Sequence, residues 1–262
     1  MRTQPTMCIL TGSPERVSNT QILAFRAKDG LHQVTVYANR VRLMRSTTYN
    51  ECAMVLPFPA GGCEMIDTTD TPDLFQSLDG LFPRSYFGGR GGGFGGMDDA
   101  RLEVKSCGSY DYSVAPTLSD LARLDPKLHI GDVTDLLRRE YGGGFSFLVC
   151  AIRESAKYHP IAYRHALDLG GGLGSAKLFL PTLHEHGPAL HGAAMWDHAI
   201  YTLDIESSPS PSTSERVVIP RAELDQAIGP ALAKHVIAST HNEVCKTTIT
   251  GDFPNADILL RV

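Results

Sequence analysis

Four histidines follow one another closely near the middle of the chain: His184, His186, His191 and His198. His184 and His186 stand at i and i+2, and on an extended strand that spacing points both imidazoles to one face, roughly 7 Å apart. Neutral imidazoles at that separation can share one zinc ion, provided further ligands arrive and, for hydrolysis, one coordination position stays open. Gly187–Pro188 offers a turn that brings His191 back towards the pair, and His198 lies on the next strand-like run. His159 and His165, six residues apart, would be about 20 Å from each other on a straight strand and cannot serve one ion. HEHG is not the HExxH frame of zincins, and paired histidines also occur as core residues bonded to carbonyls. The metal reading predicts a zinc-dependent hydrolase or a metal-binding protein built on these four residues.

The second candidate is Cys8, which follows Met7. If translation begins at Met7, or the first seven residues are removed, Cys8 carries both a thiol and a free α-amine. An amine with a pKa of about 8 can act as base for the thiol. This reading predicts an N-terminal cysteine nucleophile of the amidohydrolase kind. Other phosphate- and nucleotide-binding signatures fail on context. GGGLG after Leu169 leads into a strand rather than a helix, and GGRGGGFGG at Gly88–Gly96 lacks the Lys–Ser/Thr of a phosphate loop. The run Gly88–Gly96 reads as a flexible surface loop.

The elements that must position these groups are mostly strands. Gln21–Arg26 and His32–Ala38 alternate about Asp29–Gly30, a hairpin signal. With Met7–Thr11, Val41–Arg45 and Cys52–Leu56 they make the first sixty residues an antiparallel β unit. Thr71–Phe82 reads as a helix with Leu74, Phe75, Leu78 and Phe82 on one face. Arg101–Lys105 and Tyr110–Ala115 read as strands, and Thr117–Leu124 and Asp132–Tyr141 as helices. Phe145–Ile152 is almost wholly apolar, as a strand buried on both faces requires. Ile161–Leu167, Lys177–Leu183 and Met195–Asp204 read as an antiparallel meander in which Trp196 is buried. Ser207–Ser214 is a polar loop. Pro220–Ala238 is helical and broken at Gly229–Pro230, and Glu243–Thr250 and Ile258–Val262 are terminal strands. The class is α+β: antiparallel or mixed sheets with a few short helices packed on them. The expected organisation is one unit over residues 1–262, with the alternative of two lobes, 1–87 and 97–262, joined by the glycine-rich loop 88–96.

Composition narrows the partners. A net charge of −5 with both signs spread along the chain leaves no basic face for nucleic acid. No stretch approaches the roughly 18 apolar residues of a membrane-spanning helix. The first twelve residues do not read as a signal peptide, which points to a cytoplasmic protein. The six cysteines show no CxxC spacing and are expected as free thiols. In an oxidising compartment, Cys52 and Cys63 would be the first pair to test.

The order of several segments resembles that of the uncharacterised bacterial DUF2330 family. An early Cys8 precedes Thr20–Phe25 (TQILAF), a hairpin and the run from Asn50 to Pro59. Then follow Cys107–Ala115 (CGSYDYSVA), Tyr141–Ile152 (YGGGFSFLVCAI), His159–His165 (HPIAYRH) and Leu178–Pro181 (LFLP). The similarity spans roughly Cys8–Asp204. It implies one continuous α+β unit and carries no activity and no catalytic residues. The family is secreted or lipid-anchored, and this chain departs from it in its first residues. With no nucleophile elbow, phosphate loop or dinucleotide fingerprint, the residues favour a non-catalytic binding or structural subunit that needs no cofactor. It would act through a protein partner or a second copy of itself. The zinc and Cys8 readings stand as alternatives.

Overall fold

A computed structural model describes residues 9–11, 14–43, 52–83, 104–108, 110–128, 130–151, 159–167, 176–185, 191–205, 207–210 and 213–262. Cys8, His186 and the run 88–96 lie outside the described residues. Of the described residues, 50% are strand and 21% helical, an α+β protein with antiparallel and mixed sheets and short helices.

The chain's alternating pattern builds its first hairpin. Strands β2 (Pro14–Arg26) and β3 (His32–Leu43) pair antiparallel about Asp29–Gly30. Gly30 adopts φ +72°, and Asp29 Oδ1 accepts the N–H groups of Leu31 and His32 at 2.9 and 3.1 Å. Val17, Ile22, Ala24 and Tyr37 face one side of this hairpin, and Leu23, Phe25, Val34 and Val36 face the other. Both sides are apolar, so the hairpin can be stable only between two further layers.

Those layers exist. The hairpin lies inside a seven-stranded sheet, ordered β12 (Ser214–Pro220), β13 (His241–Pro254), β11 (Ala193–Leu203), β2, β3, β9 (Ile161–Ala166) and β5 (Cys63–Ile66). Every neighbouring pair is antiparallel except β11 with β2. The second sheet has five antiparallel strands, ordered β1 (Ile9–Leu10), β4 (Ala53–Pro59), β8 (Phe145–Ala151), β7 (Tyr110–Ala115) and β6 (Lys105–Cys107). One apolar cluster joins the two sheets face to face, through Tyr37, Tyr163 and Trp196 of the larger and Met54, Leu56, Phe58 and Leu148 of the smaller. On the outer face of the large sheet lie helices α1 (Leu74–Asp79), α3 (Arg221–Ile228) and α4 (Pro230–Ala233). On the outer face of the small sheet lie α2 (Thr134–Tyr141) and several 3-10 turns. The order of layers is helix, sheet, sheet, helix. Strand β8 shows why its sequence is apolar throughout: Leu148 and Cys150 face the other sheet, and Phe147, Val149 and Ala151 face the α2 layer. Both sheets draw strands from before residue 84 and from after residue 103. Among the described residues, no helix is long and apolar enough to cross a membrane.

Two contacts fix the helices. Gly229, at φ +75°, separates α3 from α4, and a Cβ there would come within 2.6 Å of Thr71 Oγ1. Asp79 at the end of α1 accepts Tyr201 O–H at 2.5 Å and pairs with Lys246 Nζ at 2.7 Å, tying the helix to β11 and β13. A tighter approach occurs at Gly108, where φ is +55° and a Cβ would stand 1.9 Å from His159 Nε2 and 2.5 Å from Thr69 Cγ2. Gly108→Ala is expected to cost roughly 2 kcal/mol in urea unfolding, from left-handed backbone strain and overpacking together. A loss under about 0.5 kcal/mol would show that this turn yields.

The structure corrects two expectations. The runs near residues 161, 177 and 195 do not form a meander. Strand β9 pairs with β3 and β5, β11 pairs with β2 and β13, and β10 (Lys177–Leu180) pairs with β14 (Ile258–Arg261) in a separate two-stranded ribbon. The first sixty residues are not one unit, because β1 and β4 belong to the small sheet and β2 and β3 to the large one. In both cases long-range pairing replaces the local pairing that short connections suggest. The helix expected over Thr117–Leu124 is present as a 3-10 helix, Leu118–Arg123.

Candidate functional site

The structure separates the candidate histidines. Strand β10 ends at Leu180, before Pro181, so His184 lies in an extended segment outside any strand. Asn255 holds that segment. Its Oδ1 accepts His184 N–H at 2.7 Å, and its Nδ2 donates to His184 O at 2.6 Å. The His184 ring turns inward and meets Trp196 and His198 of β11, with ring centroids 5.1 and 4.8 Å away. Trp196 and His198 are themselves 4.5 Å apart. His191 turns elsewhere: its Nδ1 and Glu185 Oε2 are 2.8 Å apart, and its side chain is 73% exposed. The strand that would have placed His184 and His186 on one face is therefore absent at His184.

His184 and His198 do come together, but as parts of a core cluster. Asp197 N–H donates to His198 Nδ1 at 3.2 Å, so the neutral ring carries its proton on Nε2. A ring held in that form offers no lone pair on Nε2 to a metal. Burial pulls the His198 pKa down from its ordinary 6.5 to about 3. Among the described residues, no group of three or more His, Cys, Asp or Glu side chains is placed to hold a metal ion.

Several other groups capable of chemistry are buried, wholly or in part. His165 donates from Nδ1 to Ala166 O at 2.9 Å, which leaves Nε2 to accept from Thr35 Oγ1 at 3.1 Å. Its burial lowers its pKa to about 4. Cys52, Cys63, Cys107, Cys150 and Cys245 are free thiols. Burial pushes Cys52 and Cys63 up to about 12 and Cys107 up to about 11. Cys150, with no measurable exposure, is raised well above the thiol range. A thiol held protonated is a poor nucleophile.

A concave feature on the small-sheet side reaches solvent. A groove of about 410 Å³ opens where the β10–β14 ribbon meets the end of α2 and the start of β8. Its walls include Tyr141, Phe145, Phe179 and Leu259, and its carboxylates are Glu140 and Asp257. Tyr141 and Phe145 pack edge to face at 5.1 Å, and Phe145 and Phe179 lie 5.2 Å apart. Leu259 is 50% exposed. Asp257 is fixed on three sides: Oδ1 accepts Thr182 N–H and Leu183 N–H, and Oδ2 accepts Tyr141 O–H, each at 2.8 Å. Burial still raises its carboxyl to about 6, against those three bonds and with the Glu140 charge adding to the rise. Sequence reading missed this groove. Asp257 is a lone acid in a terminal Asn-Ala-Asp turn, and its partners are 74, 75 and 116 residues away.

No family model matches the chain, and no curated protein matches it. Among solved structures, baculovirus P35 is similar at 12% identity, covering 97% of this chain and 99% of that one, with a TM-score of 0.46. P35 in its complex with caspase-8 is similar at 12% identity over 94% and 96%, with a TM-score of 0.42. A mutated P35 after caspase cleavage gives 13% identity over 94% and 99%, with a TM-score of 0.41.

Proposed function

We propose that this chain is a non-catalytic binding subunit that acts through protein–protein contacts. The observation that carries the reading is the contrast between core and surface. Two histidines and three cysteines, groups with basic or nucleophilic chemistry, lie inside the layers. His165 and His198 are 1% and 2% exposed, and Cys52, Cys150 and Cys245 are 3%, 0% and 2% exposed. Each serves packing or an internal hydrogen bond, and none lines the groove. Large apolar side chains meanwhile remain at the surface: Val218 on edge strand β12 at 68%, Leu259 at 50% and Phe253 at 40%. Exposed apolar side chains, with Leu259 among them on the groove, are what a partner protein would cover.

The test is thiol labelling of the native protein with a disulfide reagent, located by peptide mass. Cys52, Cys150 and Cys245 are expected to stay unlabelled until denaturant is added. Fast stoichiometric labelling of any of the three in the folded protein would contradict the reading. Selective labelling of Cys8, together with a mature chain starting at Cys8, would favour the amidohydrolase reading instead.

A further inference from the structure

We propose that the groove between α2 and the β10–β14 ribbon receives an arginine side chain from a protein partner, presented beside an apolar residue. This rests on the protein-binding reading and names the chemistry of the partner. The groove carries two carboxylates, Glu140 and Asp257, and no Lys, Arg or His among its described lining residues. A concavity with one sign of charge and apolar walls focuses the field on the opposite charge. Asp257 cannot turn away to pair elsewhere, because two backbone N–H groups and the Tyr141 hydroxyl hold it in place. Burial outweighs those bonds and leaves its ionised form under-compensated. A cation arriving in the groove would supply the missing compensation.

The walls select the kind of cation. Phe145, half-buried at the groove wall and backed by Tyr141 and Phe179, presents aromatic surface, on which a planar, weakly hydrated guanidinium rests better than a compact ammonium. A guanidinium also offers a carboxylate two parallel donors from its fork. Leu259, half exposed on the rim, offers contact to the apolar neighbour.

The probe is acetyl-Leu-Arg-amide, compared with the neutral isostere acetyl-Leu-citrulline-amide, titrated into the whole protein and followed by NMR chemical shifts. The arginine peptide is expected to bind with shifts at residues around Asp257 and Leu259, and the citrulline peptide about tenfold more weakly. Asp257→Asn should weaken the arginine peptide about tenfold and leave the citrulline peptide unchanged. Glu140→Gln, at an exposed position, gives the same comparison should Asp257→Asn fail to fold. Equal binding of the two peptides would overturn recognition by charge, leaving the protein-binding reading intact. Binding of neither at millimolar concentration would overturn the groove as the site. The labelling experiment decides the broader reading separately.

Discussion

Trp196→Ala is expected to lower the stability of the folded chain by about 3–5 kcal/mol, the range for removing a large aromatic side chain from a core. Trp196 is 3% exposed and touches the rings of His184, His198 and Phe253, with centroids 5.1, 4.5 and 6.2 Å away. It belongs to the cluster that joins the two sheets, so the cavity would open between layers that strands on both sides hold apart. Such a cavity cannot collapse without moving a sheet. Thermal unfolding should show a fall on the order of 10 °C. Trp196→Phe, which keeps most of the ring, should recover a large part of it. A loss under about 1 kcal/mol for the alanine variant would mean that Trp196 is not the wedge between the sheets.

The second large effect is loss of stability in mild acid. His198 and His165 are held neutral by burial, at about 3 and about 4 against an ordinary 6.5. Between 6.5 and those values the unfolded chain binds protons that the folded chain refuses, so stability falls as the pH drops. Asp257 acts the other way. Its carboxyl is raised from 3.8 to about 6, so the folded state takes up a proton between those values and gains stability on acidification. From pH 7.5 to 4.5 each histidine loses about two pH units' worth, near 5 kcal/mol for the pair, and Asp257 returns about 2. The net expectation is a loss on the order of 3 kcal/mol in urea unfolding. His198→Gln should flatten the slope by roughly half of the histidine contribution. Stability that is level, or that rises, from pH 7.5 to 4.5 would show that these rings reach water.

Local signals were legible in the sequence, and distant pairings were not. Asp29–Gly30 marked its hairpin because the turn's chemistry is local. Phe145–Ile152 announced a strand buried on both faces, and Gly229–Pro230 a break between helices, again from adjacent residues alone. The partner of β10 lies about eighty residues on, in β14, and nothing in Lys177–Leu180 specifies it. Strand β12, Ser214–Pro220, follows a serine- and proline-rich loop, and its pairing with β13 decides its conformation. The histidines drew notice for a spacing that needed a strand. Pro181 ends that strand, and Asn255 then clamps His184 in a different orientation. The groove was invisible because its parts come from α2, β8, β10 and the turn between β13 and β14.

The account turns on one claim, that the imidazoles of His198 and His165 are sealed in the core. Its most direct test is an NMR titration of the ring protons of His198 and His165 in the folded protein. The prediction is that neither resonance moves between pH 8 and pH 5, since burial holds both rings neutral well below that range. A midpoint near 6.5 for either ring would contradict it, and would place a titrating, solvent-reaching base where the structure has a packed core.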